Sequence, residues 1–240
     1  PLAAWLTSES VRIISARGEN ANANTARNDG VLKAHGEFIA FLDDDDAWVP
    51  SKIATQVSKL LRLPANTISY TQQHLRSQAG TRVVPKRPLR SDERMASYLF
   101  IRDTWTTPHH TIQTSTLCLG IDFARKCKFD ETLRVHQDWD WLIRAQQHGA
   151  NFDFTEEPLV EYEGSTAGNS AQRNGLEHSL NWVKTQMDDF TPTERAEVQL
   201  GLLSSRAAKL GDLGQAWKFI VSAVREGAPT LKGLVVATLR

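Results

Sequence analysis

Short apolar runs alternate with polar, small-residue segments along the first third of the chain, and their order predicts a layered α/β structure. Val11-Arg12-Ile13-Ile14 is β-rich and predicts a strand, followed by a polar loop over Ala16–Asn22. Ala23, Ala26, Gly30 and Ala34 recur at helical spacing, so a helix is expected over Ala23–Ala34 with a small-residue face that can approach a sheet closely. His35-Gly36 should end it, because glycine takes the left-handed conformation at little cost. Glu37-Phe38-Ile39-Ala40-Phe41-Leu42 is nearly continuous in apolar character, the pattern of a strand buried on both faces. After Asp43-Asp44-Asp45-Asp46, the segment Trp48-Val49-Pro50 opens a second helix with Ile53, Val57, Leu60 and Leu61 as its apolar stripe. Strand, helix, strand, helix in this order predicts a mainly parallel sheet flanked by helices.

Further along the patterning is weaker. Thr67–Gln73 and Leu159–Tyr162 read as strands, Thr111–Ile121 as a β-rich stretch, and Arg82–Arg94 as a basic, proline-containing exposed loop. Met95–Ile101 and Gln137–His148 read as helices, the second entered through a turn at Phe129–Leu133. From Gly175 the character changes to helical periodicity at Glu194–Leu210 and Ala216–Val224, broken at Gly211-Asp212. The expected organisation is an α/β domain over 1–175 and a helical appendage over 176–240. Lys209, Lys218 and Arg225 flank the apolar stripes of that hairpin, where a solvated helix face is the first expectation and a partner or membrane surface the second.

Composition narrows the function classes. The 240 residues carry 28 basic and 28 acidic side chains, and no basic stripe interleaved with aromatics marks a nucleic-acid surface. No apolar run reaches the roughly 20 residues needed to cross a bilayer, and Pro1–Leu6 lacks the form of a signal peptide. Cys118 and Cys127 form no metal-type or redox-type pair and read as two reduced thiols.

The four consecutive aspartates are the sharpest chemical feature. On an extended backbone Asp43 and Asp45 would share one side and Asp44 and Asp46 the other. Carboxylates this close repel unless a cation or donors compensate them, and a hard divalent ion meets that need. The end of an apolar strand in an open α/β sheet is where ligands collect, so a metal bridging two phosphates fits this place. The competing reading is a solvated acidic turn that caps the following helix.

The segments Ala26-Arg27-Asn28-Asp29-Gly30 and Ala34 through Lys52, with Asp43-Asp44-Asp45-Asp46-Ala47-Trp48-Val49-Pro50 at their centre, resemble the signature of family 2 glycosyltransferases. The resemblance implies a GT-A fold and an inverting transfer of a sugar from a nucleotide-diphosphate donor to a hydroxyl acceptor. It places Asp43, with Asp44 beside it, on the donor and Asp45 together with Asp43 on manganese or magnesium. Arg27 and Asn28 match a pair that lines or braces the nucleotide pocket, while a structural ion pair is an equal expectation for Arg27. Phe129-Asp130-Glu131 and Gln137-Asp138-Trp139-Asp140 continue the resemblance and place the catalytic base at Asp138, with Gln137 where the family more often has glutamate. An acceptor hydroxyl must lose a proton as it attacks, which a positioned carboxylate can take; a helix N-cap is the alternative for Asp138, and the two roles are compatible. A helix N-terminus would hold the carboxylate ionised. Trp139 and Trp141 are expected in the core, with a sugar-stacking face as the alternative.

His109, His110 and Thr111–Thr116 match the stretch bordering the acceptor pocket, with a surface loop as the default for the histidines. Tyr162–Thr166 matches a late loop near the diphosphate but lacks its basic residues. Only ten residues precede Val11, fewer than the opening βαβ unit of the family requires, so the expectation is a domain without its first strands. The implied partners are a nucleotide-sugar donor and a glycan, lipid-linked or other hydroxyl acceptor in surface polysaccharide assembly. The implied location is cytoplasmic, with peripheral attachment at the inner face of the membrane. Two other classes stay open: an inactive fragment serving as an assembly module, and another metal-dependent sugar-nucleotide enzyme.

Overall fold

The computed structural model describes residues 22–77, 80–102, 104, 110–163 and 175–238. The strand expected at Val11–Ile14 lies outside them. The first helix, α1 (Ala23–Lys33), starts where expected because the Asn22 side chain accepts from the backbone N–H groups of Asn24 and Thr25. It does not end on a left-handed glycine. Ala34 leaves it in an extended conformation, and Arg125 donates to the Ala34 carbonyl at 2.9 Å, which satisfies a group the helix end would otherwise orphan.

Six strands follow from the described residues: β1 (Phe38–Ala40), β2 (Ala47–Trp48), β3 (Thr67–Ser77), β4 (Gly80–Val84), β5 (Cys118–Gly120) and β6 (Asn151–Glu163). They form one sheet in the order β1-β5-β3-β6-β2, with β4 paired to β3. β3 and β6 pair in parallel; the other described pairings are antiparallel. β5 is thus an antiparallel strand inserted between β1 and β3. Because it reverses twice, β1, β3 and β6 run in one direction and bring their carboxyl ends to one edge. The α/β layering holds, while the mainly parallel pairing does not describe these strands. β1 lies at the edge of the described sheet and is half-buried, not buried on both faces as its apolar run suggested. The supposed loop at Arg82–Arg94 begins inside β4.

The helix after the aspartates, α2 (Lys52–Leu60), is turned differently from its apolar pattern. Its buried face is Lys52, Gln56 and Leu60, while Ile53 and Leu61 are exposed. Polar contacts decide this rotation. Gln56 donates to the Ser69 and Thr116 carbonyls at 3.1 and 3.0 Å, and the Lys52 ammonium lies 4.4 Å from the centre of the Trp48 ring.

Short helices α3 (Met95–Phe100) and α4 (Ile121–Lys126) precede α5 (Gln137–Gln147). The C-terminal region holds α6 (Gly175–Gln186), α7 (Pro192–Val198), a π-helical turn at Gln199–Leu203 running into α8 (Ser204–Lys209), α9 (Leu213–Glu226) and α10 (Leu231–Thr238). The expected hairpin is α7–α8 against α9; α6 and α10 carried too little periodicity to be seen. A single apolar cluster runs from Ile68 and Leu119 of the sheet through Trp141 to Trp182, Phe190, Leu203 and Phe219 of the C-terminal helices. The described C-terminal helices therefore share their core with the α/β layer.

Trp141 anchors that cluster. It is fully buried, stacks on Phe129 at 5.2 Å and donates to the Cys127 carbonyl at 2.7 Å. Trp141→Ala is expected to cost about 3–5 kcal/mol in urea denaturation. Leu61→Ser, at a position 66% exposed, is expected to change stability by less than about 0.5 kcal/mol.

Candidate active site

The aspartates that follow β1 do not continue an extended strand. Asp46 N–H donates to the Asp43 carbonyl at 3.2 Å, closing a turn that sends the four carboxylates in different directions. The alternation expected of an extended run is therefore absent. Asp43 places both oxygens on one Arg27 nitrogen at 2.7 and 2.9 Å. Asp44 and Asp45 are exposed. Both Asp46 oxygens are withdrawn from solvent. Burial pushes Asp46 up to about 6, the charges of Asp45, Asp43 and Asp138 add to the rise, and the Ser115 hydroxyl opposes it. The folded protein binds this proton more tightly than the unfolded chain, so stability falls as pH rises from about 4 to about 6.

A 3₁₀ turn at Thr114–Thr116 links these acids to a distant one. The Ser115 hydroxyl accepts from Asp43 N–H at 3.1 Å, and its carbonyl accepts from the Trp48 indole at 2.9 Å. Thr114 donates its hydroxyl proton to Asp138. Asp138 also lies 4.0 Å from the Arg27 guanidinium. Arg27 thus stands between Asp43 and Asp138, and the ion-pair reading of it holds. Burial raises the Asp138 pKa above the ordinary carboxylate range; Arg27 and Thr114 pull it down, and Asp43 pushes it further up. Withdrawal from water outweighs these lowering influences, so the net shift is upward. Asp138 is not the helix cap either. His136 occupies the cap position and Asp138 is the second helical residue.

Asn28 lies beside Arg27 and braces the site. Its amide accepts from Phe129 N–H at 2.9 Å and donates to the Phe129 carbonyl at 2.9 Å and to Glu131 at 2.8 Å. Asn24 and Asn22 donate to the carbonyls of Asp130 and Glu131 at 2.5 and 2.8 Å. Three asparagines of one helix start therefore hold the turn that leads into α5. Asn22 and Asn24 were missed from sequence, although the run Asn20, Asn22, Asn24, Asn28 was a visible signal.

The other end of that connection is fixed by His136, which has φ 63°. Its ring stacks on Trp139 at 4.5 Å, and Nε2 lies 2.9 Å from the Ser179 hydroxyl. Ser179 gives its own proton to the Gly175 carbonyl at 2.5 Å, so Nε2–H of His136 is the donor to Ser179. Burial lowers the His136 pKa to about 3, and the ring is neutral. Asp140 accepts from Trp182 and Gln186 of α6, both at 3.2 Å, and pairs with Arg144 at 2.7 Å. Trp141 is a core residue, and Trp139 is half-buried and packs against the same core. His110 is buried against Tyr98 at 4.5 Å, not on a surface loop; His109 and residues 164–166 lie outside the described residues.

A cavity of about 640 Å³ opens against Arg27, Gly30, Ile39 and Asp43–Asp45. Tyr162 has its hydroxyl pushed up to about 12, chiefly by burial and then by the charges of Asp46, Asp138, Asp45 and Asp43, so it stays protonated beside them. A sequence model of Glycosyl transferase family 2 matches residues 2–127, more than half of the chain. The chain belongs to this family. It is 33% identical over 177 residues to the amylovoran biosynthesis glycosyltransferase AmsB of Erwinia amylovora, covering 71% of this chain and 56% of that protein. It is 26% identical over 152 residues to the uncharacterized glycosyltransferase MJ1057 of Methanocaldococcus jannaschii, covering 63% and 50%. The chain thus spans about half the length of these curated relatives. The crystal structure of S. aureus TarS 1-349 aligns with a TM-score of 0.47 at 15% identity, covering 86% of this chain and 61% of that one. Within the family match lie Arg27, Asn28 and the four aspartates; Asp138 lies beyond its end.

Among the described residues no three histidine, cysteine or acidic side chains converge as a closed metal cage. The donor set suits a different arrangement. Magnesium and similar hard ions are held by one or two carboxylates plus substrate phosphates, and Asp45 with Asp43 lines the cavity. The bracing role of Asn28 has its own test. Asn28→Ala strands a buried N–H and carbonyl and is expected to cost about 2–3 kcal/mol by chemical denaturation, whereas Asp45→Ala at the exposed turn leaves stability within about 0.5 kcal/mol.

Proposed function

We infer that this glycosyltransferase-family chain carries the donor site and the base of an inverting sugar transfer from a nucleotide-diphosphate donor to a hydroxyl acceptor, in assembly of a surface polysaccharide or related glycan. The observation that carries the reading is the convergence of Asp138 on Arg27 and Asp43. The polysaccharide context comes from the name of the AmsB relative. The cavity against Arg27 and the aspartate turn takes the nucleoside diphosphate, with Asp43 and Asp44 on the donor side. Asp45, with Asp43, would hold a manganese or magnesium ion. Bound there, the ion supplies positive charge to the departing diphosphate. Asp138 accepts the proton of the acceptor hydroxyl as that oxygen attacks the anomeric carbon from the side opposite the leaving group. Thr114 fixes the direction of the carboxylate by its hydrogen bond. Arg27 keeps Asp138 ionisable despite burial, since its charge opposes the desolvation that raises the pKa.

Calorimetric titration of the chain with UDP and then GDP, with and without manganese, tests the donor site. Manganese-dependent binding is expected and should disappear in Asp45→Ala; binding that ignores manganese, or no binding by a folded chain, overturns it. In a transfer assay Asp138→Asn should abolish turnover while sparing donor affinity, and retained transfer would falsify the base assignment. The pH dependence follows from the direction of the shift. Asp138 works only when ionised and its pKa is raised, so the acid limb of kcat/KM is expected above the ordinary value of about 3.9. Arg27→Gln removes the largest lowering influence and should move that limb to still higher pH, in addition to lowering the plateau.

A further inference from the structure

One face of the C-terminal helices has no use in the site described above. In α9 the residues Leu213, Trp217, Val221 and Val224 recur at i, i+4, i+8 and i+11, which places them on one stripe. That stripe is not the buried one, which carries Ala216, Phe219 and Ala223. Leu213 is 69% exposed and Trp217 59%, and Val224 of the same stripe and Leu210 just before the helix are exposed as well. Leu213 and Trp217 also border a groove of about 170 Å³ closed on its other sides by Ser204, Ala208, Ala237 and Thr238. Beyond the apolar stripe, the next positions around the helix are Lys218 and Arg225, seven residues apart and both exposed, and Lys209 is exposed beside Leu210. The neighbouring acid Asp212 is exposed and caps α9 by accepting from Gln215 N–H at 2.8 Å. Going around α9, the order is buried core, exposed apolar stripe, then cations.

We propose that this face of α9, with Leu210 beside it, docks flat on an anionic phospholipid surface. The order of layers fits an interface: tryptophan and leucine enter the acyl boundary while lysine and arginine meet the negative headgroups. The charges also argue against a second copy of the chain, because a two-fold contact through this patch would set Lys218 and Arg225 near their own equivalents. No helix among the described residues is long and apolar enough to cross a membrane, so the contact is surface docking. The proposal does not depend on the donor site, since lipid binding needs no nucleotide. Co-sedimentation of the 240-residue chain with vesicles of phosphatidylcholine alone or mixed with phosphatidylglycerol tests it. Binding is expected only to the anionic vesicles and should weaken in high salt. The pairs Leu213→Ser with Trp217→Ser, and Lys218→Glu with Arg225→Glu, are each expected to cut partitioning by about tenfold or more. All four positions are exposed, and an unchanged circular dichroism melt confirms folding of the variants. Absence of binding to anionic vesicles overturns the proposal, as does equal binding by the stripe variants. A sedimentation-velocity dimer that Leu213→Ser with Trp217→Ser dissolves would assign the face to a second copy and also overturn it.

Discussion

The guanidinium of Arg27 is the interaction on which the site depends. It pairs with Asp43 at 2.7 Å and stands 4.0 Å from Asp138, two acids separated by most of the α/β layer in sequence. Without a cation between them these half-buried carboxylates would repel. With it, the two acids can stand on either side of one positive charge. The neighbouring Asn28 spends its hydrogen bonds on the turn at Phe129–Glu131, so two adjacent residues of α1 divide the work. One tunes charge and the other fixes position.

A polar interior runs through the rest of the fold. Lys52 and Gln56 are buried where an apolar stripe would ordinarily lie, and Gln56 is bonded to carbonyls of β3 and of the Thr114–Thr116 turn. The same turn supplies Thr114 to Asp138 and Ser115 to Asp43 and Trp48. A helix that appears only to cover the sheet therefore holds the segment that spans the two acids. Buried polar contacts of this kind demand their partners, which narrows the positions the turn can take.

The layering and the chemistry were legible in the sequence to different depths. Helices α1, α3 and α5 matched their expected spans within a residue or two, because residue spacing acts locally and, for α1, because the Asn22 cap does too. The rotation of α2 was not legible: its pattern put Ile53 and Leu61 inward, and long-range hydrogen bonds to Lys52 and Gln56 put them outward. The antiparallel insertion of β5 escaped because three residues carry no directional signal. The acids were evident as residues, but their separation by a turn, and the burial of Asp46, depend on backbone closure that an aspartate run does not announce. The Asp138 carboxylate shows the same limit, since its place in a helix was readable while the desolvation that governs its charge was not.

The C-terminal helices belong to this argument because they hold α5 from behind. Ser179 receives a hydrogen bond from His136, and Trp182 and Gln186 donate to Asp140, so α6 grips the residues on either side of Asp138. His136 is a non-glycine residue in the left-handed region, a conformation that costs roughly 1–2 kcal/mol and persists only where its surroundings over-determine it. Here the surroundings are the stacked Trp139 ring, the tilted Trp182 ring and the Ser179 hydroxyl. The left-handed turn redirects the chain sharply into α5 and delivers Asp138 to Thr114 and Arg27. Since two of those three contacts come from α6, the aim of the carboxylate is set jointly by the α/β layer in front and the helical layer behind.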